Sequence, residues 1–128
     1  MFTIEQINEV HEKLGTMKGF PKYVKALKLL GVERYDSYLT DGHSQYFGAN
    51  GYYIESRPVH EKLIIAGNGD KESLLQHLSS HQERKTDYMD MCRGLAESGI
   101  EKWTVDTSAA TIAYCDKNGN QLLVESIV

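Results

Sequence analysis

The sequence has few of the residues that cross-link or interrupt a chain. It contains two cysteines, two prolines and eleven glycines in 128 residues, so neither a disulfide framework nor a long flexible linker is expected. Cys92 and Cys115 lie in helix-like and strand-like segments, and we expect both to be buried, reduced thiols. This composition favours a single domain over residues 1–128.

The sequence also lacks a long apolar run and a basic stripe, and each absence excludes a class of partner. No apolar run reaches about 18 residues, so no membrane contact is predicted. The 14 basic and 18 acidic residues give a net charge of −4, and the basic residues form no stripe, so nucleic acid is not an expected partner. Glu5 lies where an export signal would be apolar, which predicts a cytoplasmic location.

The chain does contain an orderly succession of helix and strand signals. Four helices are predicted to start near Thr3, Phe20, Asp70 and Thr86. Thr3 and Gln6 are predicted to form a capping box at the first helix, and Gly31 and Gly99 to end the second and fourth. A meander of strands follows each pair of helices, and the apolar run at residues 63–66 is expected to add one more strand. The expected fold is therefore α+β, with four helices and six to seven strands.

The two halves of the chain resemble each other at an offset of 68 residues. The offset aligns identical residues at Leu27/Leu95, Gly31/Gly99, Glu33/Glu101, Tyr46/Tyr114 and Asn50-Gly51/Asn118-Gly119. This agreement favours an internal repeat with halves of about 1–67 and 68–128, each a helix-helix-antiparallel meander unit. Neither half can cover its own sheet, so the two are expected to share one core. Chance recurrence of helix-ending glycines and Asn-Gly turns is the alternative interpretation.

Histidines near the third and fourth helices are the candidates for chemistry. His77 and His81 lie four residues apart on one helical face, a spacing that can supply two ligands to zinc. A solvated helix edge is the alternative, and no cofactor is predicted. For an enzyme, the candidate catalytic residues would be His81, Asp87 and Tyr88. His43 follows a turn and is interpreted as an exposed loop residue.

Aromatic residues of the two meanders are the candidates for binding. Tyr52 and Tyr53 alternate along one strand, so they cannot both be core residues. Exposed tyrosines suit a partner surface, although strands also favour aromatic residues for packing. The candidate binding residues are Tyr38, Tyr46, Tyr52 and Trp103.

Several motifs are shared with a known bacterial group. They are Thr86-Asp87-Tyr88, Gly99-Ile100-Glu101-Lys102-Trp103 and Asp116-Lys117-Asn118-Gly119-Asn120, together with Cys92 and Asp106. On these residues the chain resembles the small YdfO-like family of unknown function, some of whose members are labelled phage envelope protein. The resemblance runs along nearly the whole chain. It implies an α+β fold and a bacterial or prophage-associated source, and it implies no catalytic residues.

Together these features favour a small cytosolic bacterial protein of prophage-associated type that acts as a non-enzymatic binding or protein-interaction module. The expected partner is another protein or a second copy of the chain, which would make a homodimer. The expected contact is the tyrosine-rich sheet face or the seam between the halves. The alternative is a small enzyme with a His/carboxylate/Tyr site near the third and fourth helices.

Overall fold

The computed structural model describes residues 2–14, 20–82 and 88–127. The first helices and strands are α1 (Ile4–Leu14), α2 (Phe20–Leu30), β1 (Arg34–Tyr38), β2 (Ser44–Phe47) and β3 (Tyr53–Glu55). They are followed by α3 (Lys71–Gln82), α4 (Tyr88–Glu97), β4 (Ile100–Asp106), β5 (Thr111–Asp116) and β6 (Gln121–Ser126). The described residues thus form four α-helices and six strands, and the prediction of an α+β fold is confirmed.

All six strands belong to one antiparallel sheet in the order β3-β2-β1-β4-β5-β6. The β1–β2 pair Tyr35 and Tyr46 has its counterpart in the β4–β5 pair Trp103 and Tyr114, 68 residues later. All four β1–β2 residue pairs have such a counterpart between β4 and β5. This agreement supports an internal repeat, and the repeat itself stays a prediction.

Two clusters of buried side chains lie between the helices and one face of the sheet. One cluster joins α1 and α2 to the sheet and includes Ile7, Val24, Leu27, Tyr35, Tyr46 and Val105. The other joins α3 and α4 to the sheet and includes Leu74, Leu78, Cys92, Leu95, Ile100 and Tyr114. Trp103 and Ile112 pack against both clusters, so the two halves are in contact through apolar side chains.

Local signals in the sequence determine where the helices begin and end. The predicted capping box is confirmed, because the amide of Thr3 donates to Gln6 Oε1 and the amide of Gln6 donates to Thr3 Oγ1. Gly31 and Gly99 follow α2 and α4 with φ of 106° and 85°, a conformation that favours glycine. Of the described helices, none is long and apolar enough to cross a membrane.

The strand predicted at residues 63–66 was wrong, because this segment of the described chain has no regular structure. Ile64 is 92% exposed, whereas Ile65 is buried in the α3–α4 cluster. The amide of Ala66 donates to the carbonyl of Ala96 in α4 at 2.9 Å. An apolar run alone cannot distinguish a strand from a loop that is anchored by one buried side chain.

Gly99→Ala is expected to destabilise the protein by about 3 kcal/mol or more, as measured by urea denaturation. The left-handed backbone alone costs alanine about 1–2 kcal/mol. A Cβ at Gly99 would also lie 2.4 Å from the carbonyl oxygen of Asn68, a backbone atom that cannot move aside cheaply.

Gly51→Ala is the matched control for this variant. Its φ is 78°, and a Cβ there would meet no described atom within 4 Å. The control should therefore lose only the conformational cost of about 1–2 kcal/mol. Equal losses in the two variants would contradict the close approach of Asn68 to Gly99.

Candidate functional site

The side chains of the sheet lie on two faces, and none of the described helices covers the second face. Tyr35, Tyr46 and Tyr114 point into the helix-packed clusters, so their neighbours along each strand point the other way. These neighbours form what we call the open face, which consists of Arg34, Asp36, Tyr38, Gln45, Phe47, Tyr53, Glu55, Lys102, Thr104, Asp106, Thr111, Ala113, Cys115, Gln121, Val124 and Ser126.

At one end of the open face, His43 lies between two carboxylates. Its Nδ1 is 2.5 Å from Asp41 Oδ1, and its Nε2 is 3.6 Å from Glu55 Oε1. The ring of Tyr38 stacks on the imidazole, with centroids 4.5 Å apart and planes 4° from parallel. The hydroxyl of Tyr53 donates to Glu55. We call these five residues the His43 corner.

The tight turn between β1 and β2 builds this corner. The amide of Gly42 donates to the carbonyl of Tyr38 at 2.9 Å, and Gly42 has a φ of 79°. Asp41 Oδ1 accepts the backbone N–H of His43 at 3.0 Å as well as the imidazole. An aspartate that bonds the backbone two residues ahead is a common turn device, and it orients the imidazole here.

The surroundings of the corner keep the Asp41 carboxyl ionised and the Tyr38 phenol protonated. Burial by itself would raise the pKa of Asp41, but the backbone N–H and the imidazole of His43 outweigh it, and the pKa lies below its usual value. Burial raises the pKa of Tyr38 above the usual value. Tyr38 therefore stays protonated, and its hydroxyl donates to Gln45 Oε1 at 3.2 Å.

A buried carboxylate occupies the centre of the open face. Asp36 is only 5% exposed. Its Oδ1 accepts the hydroxyl of Thr104 at 2.6 Å, and its Oδ2 lies 3.4 Å from Lys102 Nζ. Both partners belong to β4, so this group ties the two central strands together. Lys102 Nζ also lies 5.7 Å from the ring centroid of Tyr38, which connects the central group to the His43 corner.

The two halves of the open face differ in height. The guanidinium of Arg34 lies 4.2 Å from the ring centroid of Phe47, and the rings of Phe47 and Tyr53 are 5.3 Å apart. The positions 68 residues after Phe47 and Tyr53 are Cys115 and Gln121. Large aromatic side chains therefore stand on the β1–β3 side of the open face, where the β4–β6 side has smaller or non-aromatic ones.

Two recesses of the described residues lie away from the open face. They have volumes of about 200 and 320 Å³. The first is lined by Phe2 and Tyr52 and the second by Ile64 and Arg93, and neither includes an open-face residue. An oriented imidazole such as that of His43 can transfer protons, but catalysis also needs a site that holds a substrate against it.

Neither cysteine takes part in a disulfide. Cys92 and Cys115 are both buried, which confirms the burial predicted from their positions. Burial raises the pKa of the Cys115 thiol, and a raised pKa disfavours the nucleophilic thiolate.

The four predicted binding residues do not form one surface. Tyr38 lies in the His43 corner. Tyr46 is buried in the α1–α2 cluster, and Trp103 packs against both clusters on the helix-covered face. The hydroxyl of Tyr52 donates to the carbonyl of Phe2 at 2.6 Å, and the two rings meet edge to face. Tyr38 is thus the member of this set that reaches the open face.

The residues predicted for chemistry near α3 and α4 are only partly described. Asp87 and the side chains of His81 and Tyr88 lie outside the described part of the structure. His77 packs against Gly94 of α4, where a Cβ would come within 2.3 Å of its Nδ1. Within the described residues, no three His, Cys, Asp or Glu side chains are placed to hold a metal ion.

The sequence interpretation missed most of the His43 corner. The Asp-Gly-His order at residues 41–43 is a local signal, because Asp41 can bond the backbone two residues ahead. The position of Glu55 depends on how β3 pairs with β2, and no local signal gives that register.

The fold and the open face define a two-layer α+β protein in which an antiparallel sheet carries all of the described helices on one side. The chain belongs to the family described as "Protein of unknown function (DUF1398)", whose model matches residues 8–126. A comparison with curated proteins found no match.

Thr104→Val is expected to lower the free energy of unfolding by about 1–3 kcal/mol, because it removes a hydrogen bond from a buried carboxylate. In an Asp36→Asn background the same change should cost less, since a neutral amide depends less on this donor. A double-mutant cycle measured by urea denaturation gives the coupling between the two positions. A coupling of zero would contradict mutual stabilisation of Asp36 and Thr104.

Asp41→Asn is expected to cost stability at neutral pH and to cost less in acid. The folded-state pKa of Asp41 is lowered, so its ionised carboxylate stabilises the fold above the unfolded value of about 3.9. That stabilisation is lost as the pH falls through the folded-state pKa. Urea denaturation from about pH 7 to about pH 2 should therefore show the gap between wild type and variant closing. A gap that is independent of pH would contradict the His43–Asp41 contact.

Proposed function

We propose that this protein is a non-enzymatic binding module whose His43 corner receives a basic segment of a partner protein. The observation that carries the proposal is an exposed carboxylate beside an exposed aromatic ring on a face without a described helix. The side chain of Glu55 is 45% exposed and Tyr53 is 43% exposed. A carboxylate next to a ring suits lysine or arginine, which can make an ion pair and a cation–π contact together.

The charges of the open face and its corner also favour a cationic partner. Four carboxylates oppose two cations there: Asp36, Asp41, Glu55 and Asp106 against Arg34 and Lys102. Lys102 is engaged by the buried Asp36, so it does not neutralise Glu55. The acidic surplus attracts lysine and arginine side chains, and it argues against a phosphate backbone as the partner.

The shape of the open face supports a polypeptide as the bound species. Small-molecule sites are usually concave and bury most of their ligand, whereas protein contacts are broad and shallow. The aromatic side chains Phe47 and Tyr53 stand at the edge of the corner and extend the contact area. A short extended segment could cross β1–β3 with one basic side chain at Glu55.

Other predictions from the sequence belong with this proposal. The YdfO-like naming, a bacterial and prophage-associated source and a cytoplasmic location all stay predictions. The alternative of a small enzyme at His81, Asp87 and Tyr88 also stays a prediction. Within the described residues, His43 lies next to carboxylates and a tyrosine.

Glu55→Gln is expected to weaken the binding of a tetralysine peptide by up to about fivefold, since an exposed ion pair contributes at most about 1 kcal/mol. The measurement is a titration of the folded protein followed by two-dimensional ¹H–¹⁵N NMR. Tetralysine should shift the amide signals of Tyr53, Glu55 and His43 before those of the helices. A tetraglutamate peptide should leave these signals unchanged.

Glu72→Gln in α3 is the matched control, because it removes the same charge from an exposed position in the helical layer. It should leave the affinity for tetralysine unchanged. Equal weakening by the two variants, or shifts spread over the whole surface, would mean that tetralysine responds to net charge alone. Either result would overturn the proposal.

A further inference from the structure

The two edges of the described sheet differ in how well they are protected from pairing. β3 is three residues long, and Arg57-Pro58 follows it closely. Short edge strands, prolines and lysines are devices that keep sheet edges from joining other chains. β6 is six residues long and contains neither proline nor lysine. Two weaker forms of protection are present: a register shift near Leu122, and Glu125, which lies opposite Ile112 on the helix-covered face. Val124 lies between them, in the part of β6 that pairs regularly with β5.

The backbone amide and carbonyl of Val124 face the outer edge of the described sheet. The amide of Ile127 donates to the carbonyl of Ala110 at 2.8 Å, so Ile127 faces β5. Alternate residues of an antiparallel strand direct their amide and carbonyl to the same side. Glu125 therefore also faces β5, and the amide and carbonyl of Val124 point away from it. The Val124 side chain is 52% exposed on the open face.

We propose that β6 pairs antiparallel with β6 of a second copy of this chain, about a two-fold axis at Val124. In this register the amide and carbonyl of each Val124 bond the carbonyl and amide of the other. The two valine side chains then meet on the open face as a β-branched cross-strand pair, which is a favourable contact. A second copy is the occupant that this edge fits, because an antiparallel strand paired with itself is self-complementary under a two-fold axis.

Neighbouring registers are less favourable for this pairing. An axis at Glu125 would place two carboxylates directly opposite each other, which is destabilising. An axis at Leu123 would set each Val124 opposite Leu122, where the register of β6 is irregular. An axis at Val124 instead places Glu125 opposite Leu123 and avoids both problems.

The pairing is expected to be weak and to leave the His43 corner free. Contact through a single strand falls below about 1,200 Å² of buried surface, the size class of transient complexes, so we expect a dissociation constant in the micromolar range. The His43 corner lies near β3, at the opposite edge of the sheet. The proposed dimer can therefore be tested independently of the proposed function.

Sedimentation equilibrium of the full chain tests the proposal through a charge swap at the axis. The wild-type chain should dimerise at concentrations up to about 1 mM. Val124→Lys and Val124→Glu should each be monomeric, because the axis brings two like charges together. An equimolar mixture of these two variants should dimerise again, since opposite charges then meet. Val124→Thr keeps the β-branched shape and should dimerise like wild type.

Hydrogen exchange of the wild-type chain provides a readout that does not depend on any variant. The Val124 amide should exchange more slowly as the protein concentration rises, while the Ile127 amide, already bonded to Ala110, should change less. A wild-type chain that stays monomeric at about 1 mM would overturn the proposal. Lys and Glu variants that still dimerise, or a mixture of two monomeric variants that does not, would also overturn it.

Discussion

The pairing of β1 with β4 is the constraint on which the rest of the structure depends, because it joins the two three-stranded halves of the described sheet. Asp36 lies opposite Thr104 in the middle of this pairing, and both Thr104 and Lys102 bond its carboxylate. A buried carboxylate without such partners costs several kcal/mol. A slip of β4 by one residue would remove these partners and turn its apolar side chains to the open face. Both effects favour the observed register.

The centre of the sheet also relates the two halves of the chain to each other. Asp36 and Thr104 are themselves 68 residues apart, so the predicted repeat and the sheet share one centre. Main-chain turns and core contacts serve folding in both halves, as at Gly31 and Gly99. Apart from Asp36, Thr104 and Lys102, the side chains of the open face do not fix the strand register. The large aromatic and ionisable groups of the first half are therefore a better guide to function than the features that repeat.

Much of the secondary structure could be predicted because its signals are local. The capping box at Thr3 and the glycine after α4 act within one helical turn, and both are present as expected. Residues 63–66 were wrongly predicted as a strand because the bonds of this loop go to distant residues. The face of the sheet on which Tyr46 or Trp103 lies depends on strand pairing. No single segment of the sequence determines the register of that pairing. The contact of Glu55 with His43 could not be predicted for the same reason.

The two proposed contacts use different parts of the sheet and would reinforce each other. Pairing through β6 would make a continuous twelve-stranded sheet in which the two His43 corners are separated by about nine strand spacings, or roughly 40 Å. Each corner alone offers a few exposed charges and rings, which suits weak binding. Two such corners on one rigid sheet would raise the effective concentration of the second site for a partner that spans this distance. A partner with a single basic segment would gain nothing from the dimer.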